Sequence, residues 1–145
     1  MKPIKEIKTP NDYVYVVGLT IYLCQCIEHD IKNVYFLMSG DHSDEFYNHI
    51  KSMSLEEVID DLEQYESING SSVLSSDDYD LLRRINAISG YYAHECYTDW
   101  AYEKDETKNS LFEQSANKLI EDHNILLELH RVIEDLRIEL FASQK

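Results

Sequence analysis

The stretch FEQSANKLIEDHNILLELHRVIEDLRIEL, residues 112–140, has an apolar side chain at every seventh position. These positions are Phe112, Leu119, Leu126, Ile133 and Leu140, and Leu129, Val132 and Leu136 add to the same side. Because a seven-residue step returns to nearly the same face of an α-helix, the stretch predicts one long helix with a continuous packing seam. Such a seam suits the interior of an antiparallel bundle, and it also suits a coiled-coil-like contact between two subunits.

Helical spacing continues in the N-terminal part of the chain. Apolar residues step by threes and fours through a first helix that begins at residues 10–12 and ends at Ser39 and Gly40. Its predicted inner face consists of Val14, Val17, Ile21, Cys24, Ile27, Ile31, Val34 and Met38. The alternation expected of a half-buried strand is absent, so we expect no sheet.

Capping signals locate a second main helix. Ser54 and Glu57 have the spacing of a capping box, and Asn69-Gly70 supplies a stop. A short stretch at residues 46–50 allows a small additional helix before it. The predicted inner face of the second main helix consists of Leu55, Val58, Ile59, Leu62 and Tyr65.

Two further main helices complete the prediction. The third is capped by Ser75 or Ser76 and is expected to run from about Asp77 to about Tyr97 or Trp100. Its predicted inner face consists of Leu81, Leu82, Ile85, Ile88, Tyr92 and Cys96. The charged connector EKDETKN then precedes Ser110 and Glu113, whose capping-box spacing predicts the start of the last helix. The sequence therefore predicts a single all-α domain over residues 1–145: an antiparallel bundle of four main helices with room for an extra short one.

The chain is strongly acidic, with a formal net charge of −15. A surface of this sign disfavours broad contact with phosphates, so we expect no non-specific binding to duplex DNA. The excess is concentrated in residues 41–80, where twelve acidic residues accompany a single basic one, Lys51. Two interpretations stay open: a solvated helix face, or a patch for a basic partner with Asp60, Asp61 and Glu63 as contact candidates.

Cysteine usage and the N-terminal stretch bear on localisation. Cys24, Cys26 and Cys96 are an odd number without the spacing of a disulfide framework, which is typical of reduced thiols in the cytoplasm. The stretch MKPIKEIKTPNDY has no apolar segment behind its lysines, and no run approaches the ~18 apolar residues of a membrane span. We therefore expect a cytoplasmic protein without a membrane partner.

Motifs of metal, cofactor or nucleophile chemistry are missing from the sequence. It contains no HExxH, Glu-x-x-His, GxGxxG, P-loop or GxSxG pattern, so we expect no metal site and no cofactor. His123 and His130 lie seven residues apart beside the apolar seam, where half-buried rings with one bonded nitrogen are expected. Cys96 is expected to be a buried structural thiol.

The segment ISGYYAHECYTDW, residues 88–100, ends a characteristic order of elements. It follows a helix that begins SSDDYDLLRRINAI, which in turn follows a loop and the helix SLEEVIDDLEQYE. This order, with the Ala93-His94 pair and its aromatic-rich tail, resembles the HEPN superfamily of small all-α domains from prokaryotic toxin–antitoxin and phage-defence systems. The family signature is an arginine, usually followed by Asn or Asp, and then a histidine after four to six intervening residues.

The resemblance implies specific roles for these two residues. In active HEPN members the arginine stabilises phosphate charge and the histidine performs acid–base work in metal-independent RNA cleavage, with both motifs of a homodimer lining one cleft. His94 matches the histidine, but the positions that should hold the arginine, residues 87–89, are Ala, Ile and Ser. Arg83 and Arg84 precede His94 by eleven and ten residues. Ten residues of continuous helix span about 15 Å, which is too far for a shared grip on one phosphate.

Two functions follow from the resemblance. The leading hypothesis is a HEPN-like homodimer of a prokaryotic or mobile-element conflict system, with lost or weakened nuclease activity, that binds another macromolecule through protein contacts. The alternative is an active metal-independent endoribonuclease, with His94 as acid–base group. Arg84, its neighbour Arg83, or Arg131 or Arg137 from another helix would then hold the phosphate.

The contact candidates differ between the functions. In an active ribonuclease, Tyr91, Tyr92 and Tyr97 would hold a base or sugar of the RNA by stacking and hydroxyl hydrogen bonds. A third hypothesis rests on charge alone: an acidic decoy that inhibits a nucleic-acid-binding enzyme by presenting carboxylates in place of phosphates. The acidic contact candidates of residues 41–80 would then be its recognition face.

Overall fold

The computed structural model describes residues 1–144 and is all-helical over that range. The helices are α1 (Pro10–Ser39), α2 (Asp44–Ser52), α3 (Leu55–Asn69), α4 (Ser76–His94) and α5 (Asp105–Ser143), with a 3₁₀ turn at Cys96–Asp99. The predicted all-α class and the extra short helix, α2, are therefore confirmed. None of the helices within residues 1–144 is long and apolar enough to cross a membrane.

Local sequence explains where α3 and α4 begin. The Ser54 side chain accepts the backbone N–H of Glu57 at 3.2 Å, and the Glu57 carboxylate accepts the N–H of Ser54 at 3.3 Å. This is the predicted capping box. Ser75 and Asp78 form the equivalent pair at the start of α4. The predicted stop after α3 is also confirmed, because Gly70 has a left-handed φ of 66° that glycine adopts without steric cost.

Two predicted helix boundaries are wrong. α4 ends at His94, and the following 3₁₀ turn brings the Trp100 ring to 5.2 Å from the ring of Tyr13, between centroids. α5 begins at Asp105, so most of the expected connector is helical and Ser110 lies inside the helix. Asp105 and Glu106 favour the earlier start because negative charge in a first turn interacts well with the helix dipole.

The chain divides into two compact units. The first unit comprises Met1–Gln25 and Ile85–Glu128; the second comprises Cys26–Arg84 and the chain from Leu129 onward. The core of the first unit includes Tyr13, Val17, Leu23, Tyr92, Leu119 and Leu126. The core of the second unit includes Ile27, Ile31, Val58, Leu62, Leu82 and Ile133. In both units the packing stripes predicted for α1, α3, α4 and α5 supply most of these side chains.

One predicted core position on α1 is wrong. Val14 is 53% exposed, whereas its neighbour Tyr13 is fully buried. The ring of Tyr13 packs edge-on against Trp100 and contacts Phe112 at 5.9 Å between centroids. Because this aromatic cluster occupies the inward direction at the start of the helix, the smaller apolar residue beside it faces solvent.

Candidate functional site

His94 is the last residue of α4, and its side chain is exposed. It belongs to the first unit. Within residues 1–144 its ring has no hydrogen bond, ion pair or ring contact. An acid–base histidine usually has a second group that fixes its tautomer and orientation. His94 is accessible to a ligand, but its own chain does not orient it.

Arg83 is bound by two carboxylates of α3. Its Nη1 lies 2.6 Å from Asp60 Oδ1, and its Nη2 lies 3.3 Å from Glu63 Oε1. The hydrogen bond to Asp60 is the main reason that the pKa of Arg83 is raised. With both terminal nitrogens engaged, the guanidinium fork is not available for a bidentate grip on phosphate. The ion pairs instead join α3 to α4 within the second unit.

The remaining arginines also lie in the second unit. Arg137 Nε is 3.5 Å from Asp30 Oδ1, and Arg131 is an exposed residue of α5 that has its own interaction partner. Arg84 is exposed on α4 and has no ion pair with any residue that the structure describes. The first unit, which carries His94, thus contains none of the four arginines of the chain.

Tyr92 is buried and donates its hydroxyl hydrogen bond to Asp122 of α5. Lys118 Nζ lies 3.5 Å from the same carboxylate oxygen. Burial, and then the Asp122 carboxylate, raise the pKa of Tyr92 far above its ordinary value, so the hydroxyl of the folded protein stays protonated well into the alkaline range. Tyr92 therefore holds α4 to α5 and presents no surface to an RNA or protein partner.

Tyr91 is half-buried and donates to the carboxylate of Asp99 in the 3₁₀ turn. The ammonium of Lys118 lies 3.8 Å from the centroid of its ring, within the range of a cation–π contact. Burial and then Asp99 raise the pKa of Tyr91. An open groove of ≈ 420 Å³ lies here, lined by Tyr91, Asp99, Leu111, Gln114, Ser115 and Lys118. Lys118 already contacts the Asp122 carboxylate, and Asp99 adds a carboxylate to the lining, so this groove does not favour a phosphate.

Tyr97 belongs to the aromatic cluster of the first unit. Its half-buried ring lies 5.7 Å from that of Tyr13 and 6.2 Å from that of Trp100, between centroids. Burial raises its pKa, and burial likewise raises the pKa of the Cys96 thiol. A protonated thiol is a poor nucleophile, and the Cys96 thiol is directed to the carbonyl of Tyr92 at 3.4 Å. Cys96 is buried, as predicted.

The acidic contact candidates remain on the surface but have partners. The side chains of Asp60 and Glu63 are 62% and 52% exposed while they bind Arg83. Asp61 is exposed and accepts the Tyr35 hydroxyl at 3.3 Å. Ion pairs at this exposure contribute little to stability, because water screens them. The same carboxylates therefore stay accessible to a competing basic partner.

The two histidines beside the seam differ from one another. His123 is fully buried rather than half-buried as predicted, with Nδ1 2.9 Å from Asn124 Oδ1 and Nε2 unpaired within residues 1–144. His130 is 20% exposed, and its nearest carboxylate oxygens are 3.9 Å away on Asp30 and Glu134. Nowhere in the described part of the chain do three or more His, Cys, Asp or Glu residues form a group that could hold a metal ion.

The structure brings some of the predicted residues together and leaves others apart. The rings of Tyr91 and Tyr92 lie 4.9 Å apart between centroids, and Asp60 and Glu63 converge on one guanidinium. The partners of the tyrosines, Asp99, Lys118 and Asp122, were not predicted. Only the four-residue spacing of Lys118 and Asp122 on a helix is a signal that the sequence offers for them.

Comparisons with known proteins do not identify a family or a function for this chain. No protein-family model matches the chain, and neither a curated protein nor a solved structure matches it.

Proposed function

We propose that the protein is a HEPN-like helical protein, with lost or weakened nuclease activity, that acts by binding another macromolecule through protein contacts. The observation that carries this proposal is the separation of the motif residues: the unit with His94 contains no arginine. Without an arginine in the same unit as the histidine, the charge that develops on a phosphate during cleavage lacks the stabilising partner that active HEPN members use. The order of sequence elements around His94 supports the HEPN part of the proposal, and the absence of an arginine at residues 87–89 supports the loss of nuclease activity.

The proposal includes the finer architecture expected from the sequence. The four main helices of the antiparallel bundle are α1, α3, α4 and α5, and α2 is the extra short helix. Short connections support this, since the chain uses only residues 40–43, 53–54 and 70–75 between successive helices up to α4. Helices joined by such short links usually run antiparallel to their neighbours. The homodimer follows from the HEPN resemblance.

A face of α1 in the first unit supports contact with a protein. Val14 and Tyr15 are 53% and 67% exposed, and Gly18 lies one turn further along the same side. A Cβ added at Gly18 would have nothing of the described chain within 4 Å. An exposed glycine inside a helix costs about 1 kcal/mol relative to alanine, and intramolecular packing does not explain it here. Its missing side chain allows the backbone of a partner to approach closely.

The first test is RNA cleavage in the presence of EDTA. We expect no cleavage of single-stranded or structured RNA by the wild type, and no change in partner binding by His94→Ala. His42→Ala is the matched control, since it removes an exposed histidine from the second unit. Cleavage by the wild type and by His42→Ala, but not by His94→Ala, would overturn the proposal.

One observation favours the active ribonuclease as a second candidate. Arg84 is exposed and carries no ion pair within residues 1–144, so its guanidinium is available to a ligand or to a second subunit. If the protein cleaves RNA, Arg84→Ala should abolish cleavage while Arg83→Ala, which removes an arginine already bound by carboxylates, should not. The decoy inhibitor has weaker support, because Arg83 neutralises part of the acidic face.

A further inference from the structure

A small cavity in the second unit has an unusual lining for this protein. It encloses ≈ 220 Å³ between the second half of α1 and α2. Its lining consists of His29, Lys32, Asn33, Tyr47, Ile50 and Lys51. Every ionisable group among these is basic or a tyrosine, in a chain whose formal net charge is −15. The cavity is therefore lined by positive charge, although the chain as a whole is strongly acidic.

Helical spacing explains how the lining is assembled. His29, Lys32 and Asn33 follow the i, i+3, i+4 pattern of one face of α1. Residues 47, 50 and 51 repeat the same pattern on α2. A contact joins the two faces directly, because Lys32 Nζ lies 3.4 Å from the backbone oxygen of Lys51. Two helix faces thus present their polar side chains to one partly open cavity.

The two ammonium groups are incompletely compensated. Only 18% of the Lys32 side chain is exposed, and its one carboxylate partner within residues 1–144 is Glu28 at 3.5 Å, itself 40% exposed. Lys51 Nζ lies 5.2 Å from the Tyr47 ring centroid, and the amine has no carboxylate partner within residues 1–144. Lys51 is the only basic residue of the acidic segment 41–80. A half-buried lysine beside an unpaired one leaves a positive charge that a bound anion would offset.

The neutral lining groups add directed donors. His29 Nδ1 lies 3.2 Å from Asp30 Oδ1 and 3.3 Å from Asn33 Nδ2. When Nδ1 of the neutral ring donates to Asp30, Nε2 is an acceptor, so His29 lines the cavity without donating to a bound phosphate. The Asn33 amide and the Tyr47 hydroxyl are the neutral hydrogen-bond donors of the lining. Ile50 and the ring of Tyr47 supply an apolar wall between these polar groups.

We propose that this cavity binds the phosphate group of a small phosphate monoester. A doubly charged phosphate matches two ammonium groups better than a carboxylate does, and its oxygens have several acceptor positions for the neighbouring donors. The volume is below the roughly 300–1,000 Å³ of pockets that enclose a drug-sized ligand. The site therefore takes the phosphate-bearing end of its ligand, with an attached ring or sugar against Tyr47 and Ile50. Phosphate binding in this cavity is independent of His94 and of the proposed protein contacts.

Isothermal titration calorimetry of the full chain at low ionic strength tests the proposal. The probes are inorganic phosphate, adenosine 5′-monophosphate, adenosine and acetate. We expect saturable 1:1 binding of the two phosphate compounds, and none of adenosine or acetate. Equal affinity of the two compounds identifies phosphate alone as the ligand, whereas tighter binding of the nucleotide that Tyr47→Ala reduces identifies the monoester.

Variants locate the binding site. Lys51→Ala should weaken phosphate binding about tenfold, as expected for the loss of one charge-assisted hydrogen bond, and Lys32→Ala should do the same. Lys118→Ala, in the groove of the first unit, is the matched control and should bind like the wild type. Circular dichroism verifies that each variant is folded. Absence of saturable binding to the wild type, binding of acetate as tight as that of phosphate, or unchanged affinity in Lys51→Ala would overturn the proposal.

Discussion

Each unit of the molecule contains a tyrosine of α4 that donates to a buried carboxylate, but the two pairs are built differently. In the second unit Tyr79 donates to Glu66, which also accepts the backbone N–H of Val73 at 2.7 Å. In the first unit Tyr92 donates to Asp122, whose second partner is the half-exposed Lys118 at 3.5 Å. Glu66 accepts from a buried hydroxyl and from a loop backbone N–H, whereas Asp122 accepts from a buried hydroxyl and contacts a lysine that is in contact with solvent.

This difference indicates which segment of the chain each tyrosine–carboxylate pair stabilises. Glu66 and Tyr79 are thirteen residues apart, and the bond to Val73 fixes the loop between α3 and α4. Tyr92 and Asp122 are thirty residues apart, so their bond closes a longer segment of chain. A buried carboxylate is tolerated only when its oxygens are hydrogen-bonded. The loop pair is therefore expected to have the larger total contribution, and the long-range pair to depend more on its single hydroxyl.

The largest effect is expected for Glu66→Ala. The substitution leaves the Val73 N–H and the Tyr79 hydroxyl without their acceptor, which should lower the free energy of unfolding by about 3 kcal/mol. Urea denaturation followed by circular dichroism measures it. Glu63→Ala, which removes an exposed carboxylate from the same helix, should cost below about 1 kcal/mol. Equal costs for the two variants would show that Glu66 is not a structural acceptor.

A smaller effect is expected when only the hydroxyls are removed. Tyr92→Phe should lower the free energy of unfolding by about 2 kcal/mol, because Asp122 then keeps only Lys118. Tyr79→Phe should cost about 1 kcal/mol, because Glu66 keeps the Val73 N–H. Tyr15→Phe, at an exposed position, is the control and should be neutral. The reverse order of the first two variants would contradict the difference between the two pairs.

Features that depend on a few adjacent residues could be predicted from the sequence. The capping box of Ser54 and Glu57 and the stop of α3 at Asn69-Gly70 were both predicted, because each depends on residues within one turn of helix. The long seam of α5 was predicted because it is a pure spacing pattern, and its central residues Leu119 and Leu126 are fully buried. The all-α class follows from the same spacing.

Features that depend on distant partners could not be predicted. α4 ends early because Trp100 packs against Tyr13, a residue far away in the sequence. The pairing of Arg83 with Asp60 and Glu63 likewise needs the geometry of two helices. For the candidate site, the missing arginine was evident from the sequence. The inward position of Tyr92 was predicted from helical spacing and is confirmed, which excludes it as a contact for RNA. The exposure of His94 was not evident, because a spacing pattern does not say where a helix ends.

The smallest effect on the free energy of unfolding is expected from alkaline pH. Tyr79 and Tyr92, the tyrosines of the two pairs, should respond to it alike. Burial, and then the neighbouring carboxylate, raise the pKa of Tyr79 and of Tyr92 above the unfolded value of about 10. A raised pKa means that the neutral hydroxyl stabilises the folded state below pH ~10, and that this contribution is lost as pH rises through that value.

At pH ~10.5 each tyrosine should account for about 0.8 kcal/mol of lost stability relative to pH ~8. Tyr79→Phe and Tyr92→Phe should therefore each reduce the alkaline loss by the same amount, although their costs at pH ~8 differ. A difference between wild type and variant that is independent of pH would show that the hydroxyl ionises as readily in the folded protein as in the unfolded chain.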